Sequence, residues 1–299
     1  MTVQRVEQDL APLLAGFPEI SVEAVGPHTG LRVRAATATA LVSLHGGQLV
    51  SYVPDGHGDL LWCSPRVATA SQAIRGGVPV CWPYFGRQGQ CADAPQHGFA
   101  RNGAWRLERI RRVDGDIELE LSLPADARSP LRASQTLRVG AGPVQRLVTR
   151  NEGDAPVSFT CALHSYFQVS DALQVRATGL RGLPYVDKYD GGRHVQRGDW
   201  DLHDPRDPGR CDRLYERAGN RFELIDPQAR RTMVLETAGS RSLVLWNPGA
   251  AAAASMPDIG VEWQRFVCLE TANAGADVIE LAPGAAHALQ HTLHAVANA

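Results

Sequence analysis

Hydrophobic and polar residues alternate along most of the chain from Leu31 onward. The alternation is clearest in the segments "LRVRA", "IELELSL", "SFTCALHSYFQV", "RTMVLET" and "SLVLWN", each bounded by Gly, Pro, Asn or Asp. A period of two residues is typical of β-strands that bury one face. Because no helical segments of about 10–15 residues separate these strands, the pattern predicts an all-β antiparallel sandwich rather than a parallel α/β sheet.

Shorter features complete this pattern. The segment "FELIDPQARRTMVLE" predicts a hairpin that turns at Asp226 and Pro227. The alanine tract "GAAAAAS", residues 249–255, predicts a short helix or a compact loop. A first helix, capped by Thr2 and ended by Gly16, is predicted by apolar residues at helical spacing, which are Val3, Val6, Leu10 and Leu13. No shift in composition and no linker divides the chain, so we expect one domain over residues 1–299.

The composition is that of a globular protein without strong charge. Hydrophobic residues make up 44% of the 299 residues, charged residues make up 21%, and the net charge is −2. A chain with this balance has no strong attraction to nucleic acid or to anionic membranes. No apolar run approaches the roughly 20 residues that span a bilayer, and the N-terminal segment lacks the basic start and apolar core of a signal peptide. We therefore expect a cytoplasmic protein.

The cysteines and the C-terminal histidines do not predict a metal site. No CxxC pair occurs among the six cysteines, which are Cys63, Cys81, Cys91, Cys161, Cys211 and Cys268. This spacing fits reduced thiols better than a disulfide framework or a zinc site. His287, His291 and His294 would align as ligands on a helix, but the alternation of Leu289 and Leu293 predicts a strand. A strand places His294 on the opposite face from the other two histidines.

Two turn-rich loops carry polar residues outside the alternation. The segment "AIRGGVPVCWPYFG", residues 73–86, sets Arg75 before two glycines, two prolines and three aromatic residues. The segment "APQHGFARNGAW", residues 94–105, holds Gln96, His97 and Arg101 where neither a helix nor a strand pattern is present. Rigid loops on a sheet scaffold are where proteins usually present binding groups. The alternative for Arg75 is an exposed cation at a structural corner.

Two titratable residues lie in strand segments, at positions suited to acid–base chemistry. His164 shares the more polar strand face with Tyr166 and Gln168, and an imidazole pKa of about 6.5 allows both roles near neutral pH. A structural histidine with satisfied hydrogen bonds is the alternative. Glu270 follows the apolar run at residues 266–269. It is therefore either a solvated strand end or a base whose pKa is raised by partial burial.

Taken in order, seven segments resemble one enzyme family. They are "IRGGVPVCWPYFG", "QHGFAR", "LHSYF", "CDRLYE", "LWNPG", "VCLETAN" and "LAPG", and the resemblance covers about residues 46–290. They resemble the hexose-6-phosphate mutarotases, also called glucose-6-phosphate 1-epimerases, of the aldose 1-epimerase superfamily. The combined order and spacing are specific, although any one segment alone is weak. The resemblance implies a single large antiparallel β-supersandwich of the galactose-mutarotase type.

The resemblance also implies roles for particular residues. His164 is similar to the general acid of the family and Glu270 to its general base. Further positions match substrate-binding or active-site residues, and these are Arg75, Gln96, His97, Arg101 and Asp212. The implied reaction interconverts the α and β anomers of a hexose 6-phosphate without a metal or another cofactor. We expect a monomer that binds neither nucleic acid nor a membrane. Ser165 and Tyr84 differ from the residues common in the family, threonine and tryptophan, and neither is a proposed catalytic position.

Two other functions are compatible with parts of the sequence, and a third is not supported. A mutarotase of free aldoses would keep His164 and Glu270 but have little use for two arginines in the sugar loops. A non-catalytic carbohydrate-binding sandwich would stack sugars on aromatic residues, such as Trp82, Tyr84 and Trp246. A retaining glycosidase needs two carboxylates at the cleavage point, and only Glu270 lies in a convincing place.

Overall fold

The structure is a computed structural model that describes residues 3–66, 71–127, 129–203 and 209–297. Within these ranges the α-helices are α1 (Val3–Leu14) and α2 (Gly249–Ala253), and 3₁₀ helices form at Ala100–Asn102 and Gly260–Arg265. Helix α1 is the predicted first helix, but its predicted cap, Thr2, lies outside the described residues. Helix α2 forms from the alanine tract. None of these helices has both the length and the apolar character that a membrane span requires.

Twenty-three β-strands form the body of the described chain. In chain order they are β1 (Ile20–Val25), β2 (His28–Arg34), β3 (Ala38–Ser43), β4 (Gln48–Pro54), β5 (Val80–Cys81), β6 (Arg106–Val113), β7 (Asp116–Ser122), β8 (Leu131–Val139), β9 (Val144–Asn151), β10 (Val157–Phe159), β11 (Cys161–Leu163), β12 (Tyr166–Gln168), β13 (Arg176–Thr178), β14 (Pro184–Asp187), β15 (Arg193–Val195), β16 (Trp200–Asp201), β17 (Cys211–Glu216), β18 (Arg221–Asp226), β19 (Arg231–Ala238), β20 (Ser242–Asn247), β21 (Phe266–Asn273), β22 (Ile279–Leu281) and β23 (Ala286–Ala297). The hairpin β18–β19 turns at Asp226 and Pro227, as the sequence predicted.

These strands pair into two large sheets and two small ones. The first large sheet has nine strands in the order β16-β13-β18-β19-β23-β9-β8-β7-β6. The second has eight strands in the order β15-β14-β17-β20-β21-β11-β5, with β12 pairing beside β11 on β21. A four-stranded sheet, β1-β2-β3-β4, and the pair β10-β22 complete the fold. Every pairing between these strands of the described chain is antiparallel.

The two large sheets share one hydrophobic core. A single buried cluster contains residues of the eight-stranded sheet, such as Leu245, Val267 and Leu269, and of the nine-stranded sheet, such as Leu147, Leu289 and Leu293. Burying one face of each sheet against the other removes apolar area from water, which is the main stabilising contribution in a sandwich. This arrangement confirms the predicted antiparallel supersandwich.

Strand β21 presents its two faces to different surroundings. Leu269 points into the core between the sheets, whereas Phe266 and Cys268 pack in a separate cluster on the outer face of the eight-stranded sheet. Because successive side chains of a strand point to opposite faces, Glu270 shares the outer face with Cys268. The strand is buried along its whole length and continues to Asn273. The prediction that Glu270 ends the apolar strand was therefore wrong, since it lies in mid-strand.

Candidate active site

His164 and Glu270 lie side by side on the outer face of the eight-stranded sheet. The Nε2 atom of His164 is 3.2 Å from the Oε1 atom of Glu270, and both side chains are buried. Glu270 comes from β21, whereas His164 lies in the break between β11 and β12. The backbone N–H of His164 donates to the carbonyl of Pro79 in the 73–86 loop. The alternating segment around His164 thus forms three short strands, and the last break places the imidazole beside the carboxyl group.

Burial shifts the pKa of each group toward its neutral form. It raises the pKa of Glu270 well above the usual value, because a carboxylate loses its hydration there. It lowers the pKa of His164 well below the usual value, and the neighbouring His97, Arg101 and Arg75 act in the same direction. The two groups therefore share one proton over a wide pH range. The other polar atoms of the pair, Nδ1 of His164 and Oε2 of Glu270, are buried and have no hydrogen-bond partner in the described structure.

Aromatic side chains fix the orientation of the His164 imidazole. The Tyr166 ring stacks on it with centroids 4.8 Å apart and planes only 10° from parallel. Trp246 and His97 present ring edges at centroid distances of 6.1 and 5.8 Å. A side chain whose rotamer is locked by packing keeps its reacting atom at one position, which acid–base chemistry needs.

The 94–105 loop places His97 beside the pair. Its backbone φ is +63°, an uncommon value for a residue other than glycine, and its Nδ1 accepts a hydrogen bond of 3.2 Å from the N–H of Gly86. Burial, together with the positive charge of Arg101, lowers the pKa of His97 to about 3. The ring is therefore neutral at ordinary pH, and with Nδ1 accepting, its proton lies on Nε2. This leaves Nε2 as a hydrogen-bond donor for a ligand oxygen.

Arg101 on the same loop has no carboxylate partner among the residues that the structure describes. Its Nη2 donates to the backbone carbonyl of Gln96 at 2.9 Å, and its Nε is buried without a partner. The side chain of Gln96 itself is exposed and makes no hydrogen bond within the described structure. A guanidinium that no acid of the protein neutralises can bind an external anion.

Arg75 is held in place by two side chains. Its Nε donates to Oδ2 of Asp258 at 2.7 Å, and its Nη1 donates to the hydroxyl of Tyr166 at 3.1 Å. Tyr166 is also the residue that stacks on His164, so Arg75 adjoins the acid–base pair through one shared neighbour. The alternative of an exposed corner cation was therefore wrong, because only 31% of the Arg75 side chain is accessible and the guanidinium is bound by two side chains.

Asp212 reaches the site from β17, where it pairs in register with Trp246 of β20. Its Oδ1 atom is 3.4 Å from Nζ of Lys188. Burial raises the pKa of Asp212, and the charge of Lys188 opposes that shift. Lys188 also lies over the ring of Phe85, 5.0 Å from its centroid. Asp212 therefore belongs to the same charged cluster as Glu270, whose pKa responds to both residues.

Sequence reasoning missed Lys188 and Asp258. Asp258 is 183 residues from its partner Arg75, so no local pattern could have joined them. Lys188 did carry a signal, because it is the only lysine among the 30 lysine and arginine residues of the chain. Tyr166 was placed on the correct strand face, but its contact with Arg75 depends on tertiary structure.

The site also contains three atoms of types that bind metals. Single ligand atoms of His164, Cys268 and Glu270 lie within 4.8 Å of one another. Two of them, His164 and Glu270, are the acid–base pair itself, and Cys268 packs in an apolar cluster with Trp62, Tyr166 and Phe266. The C-terminal histidines lie on β23, and their strand prediction is confirmed.

Residues 31–294 match the profile of the family described as aldose 1-epimerase. The chain belongs to the aldose 1-epimerase family. It is therefore an isomerase, which confirms the resemblance seen in the seven sequence segments. A non-catalytic carbohydrate-binding sandwich does not fit this membership. Two of the rings on which that alternative depended, Trp82 and Tyr84, are only 2% and 6% exposed.

Relatives of this aldose 1-epimerase are similar over most of their length. A protein of Escherichia coli K12 is 34% identical over 244 residues, which cover 79% of this chain and 80% of the relative. A protein of Cenchrus ciliaris is 32% identical over 269 residues, which cover 84% and 79%. Both are named "putative glucose-6-phosphate 1-epimerase". The crystal structure of a "putative mutarotase" from Salmonella typhimurium, 28% identical, matches with a TM-score of 0.85 over 95% of each chain.

Proposed function

We propose that this chain interconverts the α and β anomers of hexose 6-phosphates, with His164 and Glu270 as the acid–base pair. The observation that carries the proposal is the 3.2 Å contact within this pair, beside an arginine, Arg101, that no carboxylate of the described residues neutralises. The names of the curated relatives support the same substrate class.

The proposed reaction needs two proton transfers. One proton leaves the anomeric hydroxyl and one reaches the ring oxygen, and both oxygens are bonded to the same carbon, so two adjacent side chains can serve them. The pair reacts in the form in which its shared proton lies on His164. The Glu270 carboxylate then removes the hydroxyl proton while His164 donates to the ring oxygen, the bond from the anomeric carbon to that oxygen breaks, and an aldehyde forms. After the aldehyde rotates, the roles reverse and the ring closes. Each positioned acid or base contributes about 10²–10⁴ in rate, so no cofactor is needed.

The other candidate residues bind the substrate in this proposal. Arg101 and Arg75 bind the phosphate, because Arg101 has an unpartnered Nε and Arg75 makes no hydrogen bond through Nη2 within the described structure. His97 donates from Nε2 to a sugar oxygen. Asp212 accepts hydrogen bonds from sugar hydroxyls, and Gln96 contributes an exposed amide at the entrance.

The pH dependence of kcat/KM tests the one-proton pair. At ordinary pKa values of 4.5 for Glu270 and 6.5 for His164, activity would decline from pH 6.5 upward as His164 lost its proton. Burial raises the pKa of Glu270 and lowers the pKa of His164. The acid limb of the kcat/KM profile is therefore set by proton uptake at His164, and the alkaline limb is set by proton loss from Glu270. We expect a plateau of kcat/KM through neutral pH. The profile is measured on a free hexose as well, because the phosphate group of a sugar phosphate itself titrates near a pH of about 6. A decline that starts at pH 6.5 on both substrates would contradict the shifted pair.

Gly98 provides a test of the loop that carries His97. Its φ is +73°, and an added Cβ would overlap the carbonyl oxygen of Trp82, which accepts hydrogen bonds from the next two backbone N–H groups. We expect Gly98→Ala to displace His97 and lower anomeric exchange by at least about 10-fold. Gly115→Ala is the matched control, because Gly115 also has a positive φ but an added Cβ meets no atom within 4 Å. An equal loss in both variants would indicate general backbone strain rather than displacement of His97.

The decisive experiment is anomer-resolved exchange NMR on hexose 6-phosphates, with and without the protein. We expect the protein to accelerate exchange of the phosphorylated sugars more than that of the free sugars. Equal acceleration of both would favour the alternative, a mutarotase of free aldoses. No acceleration of either would overturn the proposed function.

We further infer that the enzyme works as a cytoplasmic monomer without a nucleic-acid partner. One chain supplies every residue of the candidate site, so the proposed chemistry needs no second subunit. The net charge of −2 gives no strong attraction to polyanions. All six cysteines are free, which fits a reducing compartment. Sedimentation of the purified protein tests the oligomeric state directly.

A further inference from the structure

Lys188 is the only lysine in a chain that uses arginine at every other long basic position. If position 188 needed only a positive charge, an arginine would be expected there as well. The two side chains differ physically, since an ammonium is a compact point charge and a guanidinium is a wide planar group. Position 188 is therefore the one place where the chain uses a compact cation.

The ammonium group of Lys188 lies beside Asp212 and Phe85. Its Nζ lies 3.4 Å from Oδ1 of Asp212, and its backbone N–H donates to the carbonyl of the same residue at 2.9 Å. The ammonium also rests over the face of Phe85. The edge of Phe85 meets His97, with ring centroids 4.8 Å apart. Lys188 thus lies between Asp212 and Phe85 of the 73–86 loop, with 39% of its side chain exposed.

The charges around Glu270 show what the ammonium does. His164 contacts Glu270 directly and Cys268 lies beside it, while Asp212, Lys188 and Arg101 act on it electrostatically. The negative Asp212 raises the pKa of Glu270, and the positive Lys188 lowers it. Without a nearby cation, the carboxylates of Glu270 and Asp212 would disfavour each other's ionisation, because like charges repel.

We propose that Lys188 is a positioning residue that fixes the ionised Asp212 carboxylate toward the sugar hydroxyls and leaves proton exchange to Glu270 and His164. The assignment rests on the proposed function, since it concerns how that site binds a sugar. It differs from the role of the arginines, because the proposed function assigns Asp212 to the sugar hydroxyls and the arginines to the phosphate. Loss of Lys188 should therefore affect phosphorylated and free sugars alike.

The test compares Lys188→Met, Lys188→Arg and the control Arg193→Met. Arg193 pairs with Glu216 at the same edge of the sheet, 2.7 Å away, without touching Asp212. We expect Lys188→Met to lower kcat/KM about 10- to 100-fold on both hexose 6-phosphate and free hexose, mainly through KM. The alkaline limb of its pH profile should move to higher pH, because removal of a positive charge raises the pKa of Glu270. In Lys188→Arg the alkaline limb should return to its wild-type pH, whereas kcat/KM should recover only in part. Arg193→Met should change neither the limb nor kcat/KM.

A second measurement does not depend on activity. In protein labelled with ¹³C-carboxyl glutamate, the Glu270 resonance is identified by its absence in Glu270→Gln, and its titration is compared between wild type and Lys188→Met. A higher midpoint in the variant supports the assignment even if no sugar is turned over. An unchanged midpoint, or a loss of kcat/KM confined to phosphorylated sugars, overturns it. Absence of exchange in the wild type overturns the proposed function instead.

Discussion

Glu270→Gln and His164→Asn each lower the rate of anomeric exchange by at least about 100-fold, because each variant removes one of the two proton-transfer groups. Both replacements are close in shape to the native side chains, so the buried packing on the outer face of the eight-stranded sheet should persist. Exchange NMR at saturating hexose 6-phosphate measures the loss. Circular dichroism and thermal unfolding establish that the variants are folded.

The chain provides a matched control for this pair. His294 and Glu236 form another histidine–glutamate contact, with Nε2 and Oε2 3.7 Å apart, but on the nine-stranded sheet and partly exposed. We expect Glu236→Gln and His294→Asn to leave exchange unchanged. Near-wild-type exchange in folded Glu270→Gln or His164→Asn would mean that the acid–base assignment is incorrect. Loss in all four variants would indicate a general effect on the fold.

The strand content could be predicted from the sequence because most strands bury only one face. Alternation identified β2, β7, β19 and β20, and it placed His164 and Tyr166 on one face with Leu163 and Phe167 on the other. The order of strands within the sheets could not be predicted, because it depends on pairing between residues far apart in the chain. The single domain over residues 1–299 stays a prediction.

Strand β21 shows where alternation fails. All eight of its residues are buried, because one face packs in the common core and the other lies under the site loops. A strand covered on both sides gives a nearly continuous apolar run, so its end cannot be located by period. Glu270 therefore resembled a terminus in the sequence. The same burial gives its carboxyl group the raised pKa on which the proposed chemistry depends.

The hydrogen-bond and ion-pair partners of the site arginines could not be predicted from local sequence pattern either. Arg75 was expected to bind substrate, but its contacts with Asp258 and Tyr166 were not predicted. Arg75→Ala will therefore disturb the packing on His164 as well as any phosphate contact, and it is expected to affect both substrates. Arg101 has no such ties beyond one backbone carbonyl. It is the clearer test of phosphate recognition.

Arg101→Ala should cost about 10- to 150-fold in kcat/KM for hexose 6-phosphates, because charge-assisted hydrogen bonds to phosphate are worth roughly 1.5–3 kcal/mol. Exchange of free glucose should hardly change, since the lost partner is absent from that sugar. Arg101→Lys should recover only part of the loss, because an ammonium keeps the charge but not the planar pair of donors. Initial rates at low substrate concentration measure both sugars in the same assay.

The control for Arg101 is Arg111→Ala, which removes an exposed arginine that pairs with Glu118 and Glu120 on the nine-stranded sheet. It should leave both substrates unaffected. A loss confined to phosphorylated sugars identifies phosphate binding. Collapse of the 94–105 loop would slow the exchange of free and phosphorylated sugars equally, and removal of a surface arginine without a ligand would slow the exchange of neither. Equal loss on both sugars in a folded Arg101→Ala protein would contradict phosphate binding at Arg101. The free-aldose mutarotase would then become the better account, with Arg101 serving to hold His97 beside the acid–base pair.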